Sequence, residues 1–278
     1  MPLFRAAPLV AALFLCPGWQ GVACGAEPEA GCEPAEPAES APDVAPETEP
    51  AQDAAAAAAQ ISGSPWPGVI DHLLQRPMPG ETDADTPSIH INYPSLGKPV
   101  IDADIRAWVS GLADAFTSHL DLSTLASDAD GKSPGFELWG SYEVSWPSPN
   151  AVSITFELWN YAGGPAPNLD IMTLNYSLLS DSRLGLVDMF EDPEKALQLM
   201  SVHAGAQLEK RLGALSHNMA DGLLPLPENY SSLTLGPQGL RINFQPYQAA
   251  PWAAGPQYVE MPLQDLTPAG PYLPIWGK

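Results

Sequence analysis

Cysteine is nearly absent from this sequence. The 278 residues include three, Cys16, Cys24 and Cys32. None follows Cys32, so the rest of the chain can hold neither a disulfide nor a Cys–His metal site. Basic residues are scarce as well. Eleven Lys and Arg stand against 33 Asp and Glu, for a formal charge of −22. Nucleic-acid binding rests on Lys and Arg at phosphates, so that class is excluded. The apolar run Leu9–Leu15 is well short of the roughly 20 residues that a bilayer-spanning helix needs. Reaction signatures are missing too. There is no G-x-S-x-G, Walker loop, dinucleotide fingerprint or H-E-x-x-H. The five histidines, His72, His90, His119, His203 and His217, include no pair at helical ligand spacing. The expectation is a chain without metal, without cofactor and without enzymatic activity.

Proline is what the sequence has in plenty. Its 32 prolines cluster early. Before them, Arg5 supplies a positive start and Leu9–Leu15 an apolar core, with small residues at Ala23, Gly25 and Ala26. That order reads as an export signal over residues 1–26. Gly21-Val22-Ala23-Cys24 partly resembles a lipobox, with Gly where Leu is usual. Two outcomes stay open, lipidation at Cys24 and ordinary cleavage near Ala26. The expected location is the periplasm or cell envelope. Residues 27–60 are mostly Pro, Ala and Glu, without Lys or Arg. Like charges and few buriable side chains predict a disordered spacer. Residues 61–86 read as an extended lead-in, in which Val69, Ile70, Leu73 and Leu74 could dock one turn. The domain proper is placed at 87–278, with two sub-lobes near 87–165 and 166–278.

The folded part reads as α+β, an antiparallel sheet or sheets with two main helices packed on one face. Ile89 and Ile91 alternate with polar neighbours as a strand. Pro99 and Asp102 open a helix with Ile101, Ile105, Trp108, Val109, Leu112 and Phe116 on one side. Phe136–Trp146, Val152–Trp159 and Leu169–Leu178 read as strands, with residues 121–133 a polar loop. Asp192-Pro193 opens a second helix, with an apolar stripe at Leu197, Met200, Ala204, Leu208, Leu212 and Leu215. Leu240, Ile242 and Phe244 alternate with Arg241, Asn243 and Gln245. Pro246 ends that strand, and Tyr258–Met261 resumes it as a hairpin with a long aromatic loop.

Aromatic residues are the remaining signal. Most should be core. Those read as loop residues, Trp146, Tyr161, Tyr247 and Trp252, are the candidate binding residues, because ordered aromatics anchor interfaces and stack on sugars. Asp181 and Asp188 are better explained by turn and helix-approach geometry than as an acid–base pair.

Five pieces resemble, in order, the RsiV-like envelope domains, domain-of-unknown-function modules of the lysozyme-sensing anti-sigma factor RsiV and of some peptidoglycan deacetylases. They are Ile91–Leu96 with Ile101–Ile105, Tyr142–Val144 with Val152–Phe156, Gly163–Asn168, Leu184–Phe190, and Gly239–Leu266. The resemblance runs over about residues 88–266. In the Gly163–Asn168 turn this chain has Ala166 where the family pattern has His. The resemblance implies an exported, non-catalytic binding or sensing module. Its partner would be a lysozyme-like cationic protein, peptidoglycan or another envelope component. The alternative it implies is an accessory or catalytic module in peptidoglycan hydrolysis or deacetylation.

Overall fold

The computed structural model describes residues 68–77, 88–119, 136–162, 167–213 and 217–278. The signal region, Cys24, the spacer, the 121–133 loop, Leu215 and residues 163–166 of the Gly-Pro turn lie outside the described residues.

Six strands form one sheet in chain order: β1 (Ile70–Arg76), β2 (Ile89–Ser95), β3 (Glu137–Ser148), β4 (Ala151–Tyr161), β5 (Asn168–Ser177) and β6 (Ser182–Arg183). All neighbours are antiparallel except β2 and β3, which run parallel. That departs from the all-antiparallel expectation, and the reason is α1 (Pro99–His119), which lies between the two strands in sequence. A parallel step needs a long crossover, and the helix supplies it. β1 falls inside the stretch read as an extended lead-in. It pairs with β2 along its whole length as a strand of the sheet.

A second sheet is antiparallel, in the order β7 (Leu233–Gly236), β8 (Gly239–Phe244) and β9 (Gln257–Pro262). The short α2 (Leu186–Met189) and the long α3 (Pro193–Leu212) precede it.

Side-chain carboxylates fix the start of both long helices. Asp102 accepts the Leu96 amide at 2.7 Å and the Ser95 hydroxyl at 3.0 Å, fixing the approach to α1. Asp192 accepts the Lys195 amide at 2.9 Å and Pro193 takes the first turn of α3. On α1 the stripe Ile101, Ile105, Val109, Leu112 and Phe116 is buried. On α3 Leu197, Met200, Ala204 and Leu208 are buried, whereas Leu212 is exposed one turn later. The helices do not share one face. α1 packs on β1, β2 and β6, while α3 packs on β9 and the 3-10 segment Leu263–Ala269.

β7 lies on β3, β4 and β5, so the two sheets form layers. Their contact is unusually polar. Thr155 bonds Thr234 at 2.6 Å, and Thr173 bonds Ser232 at 2.8 Å. Asn243, on the side of β8 read as polar, is buried and donates to Thr234 Oγ1 at 2.9 Å. It can be buried because that bond satisfies it. The Leu235 amide donates to Ser153 Oγ at 3.1 Å, and Asn175 Nδ2 donates to the Leu233 carbonyl at 2.8 Å. The outer edge of β7 is thus met by side chains. On β9 the matching groups come from α3: His203 Nε2 donates to the Glu260 carbonyl and Arg211 Nη2 to the Tyr258 carbonyl, each at 3.0 Å. Just past β8, Gln245 Nε2 donates to the Ile171 carbonyl at 2.6 Å, and the Ile171 amide donates back to Gln245 Oε1 at 2.8 Å.

Candidate functional site

Side chains alternate between the two faces of a strand, and directly opposed residues on neighbouring strands share a face. Ser153 and Thr155 of β4 meet the second sheet. Three further steps of the same period carry that face on to Glu157, Trp159 and Tyr161. There the second sheet no longer covers it, and Trp159 is 38% exposed.

Trp159 opposes Trp139 on β3, and Trp139 aligns with His90 on β2. The His90 and Trp139 rings stack, 4.2 Å apart and 3° from parallel. On the other side Trp252, in the β8–β9 loop, sets its ring edge-on to Trp159 at 6.4 Å. Tyr247 stacks on Trp252 at 5.6 Å. His90, Trp139, Trp159, Trp252 and Tyr247 therefore make one row. It crosses three strands at about 4.8 Å spacing and continues over the hairpin loop. Tyr247 is 67% exposed and has a positive φ of 67°, a strained conformation for a large side chain. Strain of that kind persists only where its surroundings hold it, and the turn around Tyr247 is closed by the Gln248 amide donating to the Gln245 carbonyl at 3.0 Å.

Among the four aromatics singled out from sequence, Tyr247 and Trp252 meet in this row. Tyr161 is the last residue of β4 rather than a loop residue, and its place two residues from Trp159 puts it on the same face. Trp146 is also a strand residue. It lies seven residues along β3 from Trp139, about 23 Å of strand, and takes no part in the row. Sequence reasoning missed His90, Trp139 and Trp159 as partners. Their alternation was visible, but the register that aligns three strands was not.

Carboxylates flank the row. Glu137 opposes Tyr161 and accepts the Trp139 indole N–H at 3.2 Å; Glu157 opposes Ser141. Both glutamates are exposed. The nearby cation on the second sheet, Arg241, is already engaged. It bonds Glu260 at 2.7 Å, lies 3.7 Å from Glu143, and sits over the Tyr258 ring. The Glu260 bond chiefly raises its pKa. Arg241, Glu143 and Glu260 line a cavity of about 370 Å³ between the sheets, with Thr234, Pro237 and Gly239.

The other titratable groups singled out above are engaged within the fold. Asp181 is paired with Lys98 at 3.0 Å, and Asp188 accepts the Gly185 amide at 2.8 Å. Burial pushes Asp170 up to about 6, against the opposing hydrogen bond from Asn160. Burial also raises Asp71, which the Tyr142 hydroxyl donates to. His72 stacks on Tyr93, and His203 is spent on β9. Among the described residues no three His, Cys, Asp or Glu come together as a metal-binding group.

Residues 187–264 match the model of one protein family, DUF3298. The family is described as a protein of unknown function. Its span takes in α3, the second sheet, Tyr247 and Trp252, whereas Trp139 and Trp159 precede it. The chain is also 23% identical over 179 residues to the peptidoglycan-N-acetylmuramic acid deacetylase PdaC of Bacillus subtilis. That alignment covers 64% of this chain and 38% of the relative, so the chain matches well under half of that protein's length. A DUF3298 family protein of Pseudomonas aeruginosa superposes with a TM-score of 0.50 at 14% identity, over 72% of this chain and 92% of that one. A Bacteroides fragilis member of DUF3298 superposes at 0.48 with 18% identity, over 75% and 94%. The Pseudomonas structure bears on the fold alone.

Proposed function

We propose that this chain is a non-catalytic binding module of the cell envelope, and that its aromatic row receives the glycan strand of peptidoglycan. The observation that carries this reading is the row itself, three rings on a sheet face continued by two on the hairpin loop and open to solvent at Trp159 and Tyr247. Flat rings on a rigid sheet suit the apolar faces of sugars, and sheet-borne groups are held more firmly than loop-borne ones. The export pattern at residues 1–26 and the peptidoglycan deacetylase among the relatives support an envelope setting.

A second reading is a cationic envelope protein of the lysozyme kind. The formal charge of −22 and the exposed Glu137 and Glu157 favour it, since opposite charge speeds encounter. Co-sedimentation of the full chain with insoluble peptidoglycan tests the first reading. Trp159→Ala and Trp252→Ala should each reduce the bound fraction several-fold while the chain stays folded. The non-catalytic part is tested in the same tubes: release of acetate or of new reducing ends would refute it. Calorimetric titration with a c-type lysozyme at two salt concentrations tests the second. Heat that persists at high salt and is lost in Trp252→Ala, with no peptidoglycan bound, would reverse the choice.

A further inference from the structure

The row has a chemical preference built into its flanks. Along a strand, residues two apart are separated by about 6.7 Å. Glu137 stands one such step from Trp139, and Glu157 one step from Trp159. The register sends the two steps in opposite directions, because β3 and β4 are antiparallel. A ring stacked at the centre of the row therefore has one carboxylate beyond each edge. Among the described residues, His90, Ser141, Tyr161, Leu169 and Ile171 lie on this part of the face, and none is Lys or Arg. Arg241, on the second sheet, is neutralised by Glu143 and Glu260. Such a surface is poor for an anionic ligand and suited to one that combines an apolar face with positive charge.

An N-acetylated amino sugar has the apolar face without the charge. After removal of the acetyl group, the same sugar carries an ammonium at its C2 nitrogen. An ammonium can reach the flanking carboxylates and the indole face at once, and the two attractions act in the same sense. Resting on the glycan reading above, we infer that the row selects glycan strands bearing free amino groups over fully N-acetylated strands. A lysine-rich or arginine-rich polypeptide has charge but lacks the flat, linked rings that match the aromatics of the row.

The test is calorimetric titration of the full chain at pH 6 with three probes: a glucosamine hexamer, an N-acetylglucosamine hexamer, and hexalysine as a charge control. The glucosamine hexamer should bind at least about fivefold more tightly than either other probe. The Glu137→Gln/Glu157→Gln double variant should bring the two sugars within about twofold of each other without weakening the acetylated one. Trp159→Ala should weaken both sugars. Equal or tighter binding of the acetylated hexamer would overturn this inference and leave the glycan reading standing. Binding of neither sugar to the folded chain would overturn both. A glucosamine hexamer that binds no better than hexalysine, and ignores Trp159→Ala, would reduce the effect to bulk charge and overturn the inference as well.

Discussion

The side-chain amide of Gln245 makes both hydrogen bonds to the backbone of Ile171 that a neighbouring strand would make, at 2.6 and 2.8 Å. One side chain thus extends the six-stranded sheet and ties it to the end of β8. Gln245→Ala should destabilise the chain by about 2–4 kcal/mol, because it leaves a half-buried amide and carbonyl unpaired. Denaturant unfolding measures the loss. Hydrogen exchange at the Ile171 amide should speed up by more than the global change accounts for.

Phe244 is fully buried in β8 and packs edge-on to Tyr230 at 6.1 Å. Phe244→Ala should lower stability by about 3–5 kcal/mol. Deleting residues 27–60 should move the unfolding midpoint little, within about 0.5 kcal/mol. Comparable losses from the two changes would show that the spacer is part of the folded unit.

Tyr247 offers a separation of stability from binding. Glycine adopts its positive φ without a steric penalty, but loses more backbone entropy on folding. Tyr247→Gly should therefore leave stability within about 1 kcal/mol of the parent. Peptidoglycan co-sedimentation should still fall, since the outer ring of the row is gone. A variant that unfolds would show that Tyr247 holds the loop rather than the ligand.

Asp170 gives the fold a pH signature. Its pKa rises from the ordinary carboxyl range to about 6 on folding, chiefly through burial. The folded chain therefore keeps a proton that the unfolded chain has released. The resulting stability is fully present below about pH 4 and is lost as pH rises through about 6, by up to about 3 kcal/mol. Asp170→Asn cannot lose a proton there, and its side-chain oxygen can still accept from Asn160. Its stability relative to the parent should therefore climb between pH 4 and 7 in parallel denaturant titrations. Parallel curves would rule the effect out.

Much of this architecture was readable from the chain. Capping at Asp192-Pro193, the stripe from Ile101 to Phe116, and the alternation through Leu240, Ile242 and Phe244 all follow from local chemistry. What escaped was relational. Asn243 looked solvent-facing because alternation reports one covered face, and a second layer joined through Thr155, Thr173 and Asn175 covers the other. The parallel β2–β3 step depends on where α1 packs. The row failed to show for the same reason: Trp139 and Trp159 are 20 positions apart in the chain, and nothing local states that they stand side by side. Trp146 drew attention by lying beside Pro147, yet it is a strand residue far from the other rings.

Side chains occupy hydrogen-bonding groups on both outer edges of the second sheet, Ser153 and Asn175 on one, His203 and Arg211 on the other. An open ladder recruits further strands, including those of other copies. This one turns part of that bonding capacity inward. The same bonds that hold its layers together also work against self-association. The edges of the second sheet are thereby spent within the chain, and the ring-bearing face of the larger sheet lies apart from them.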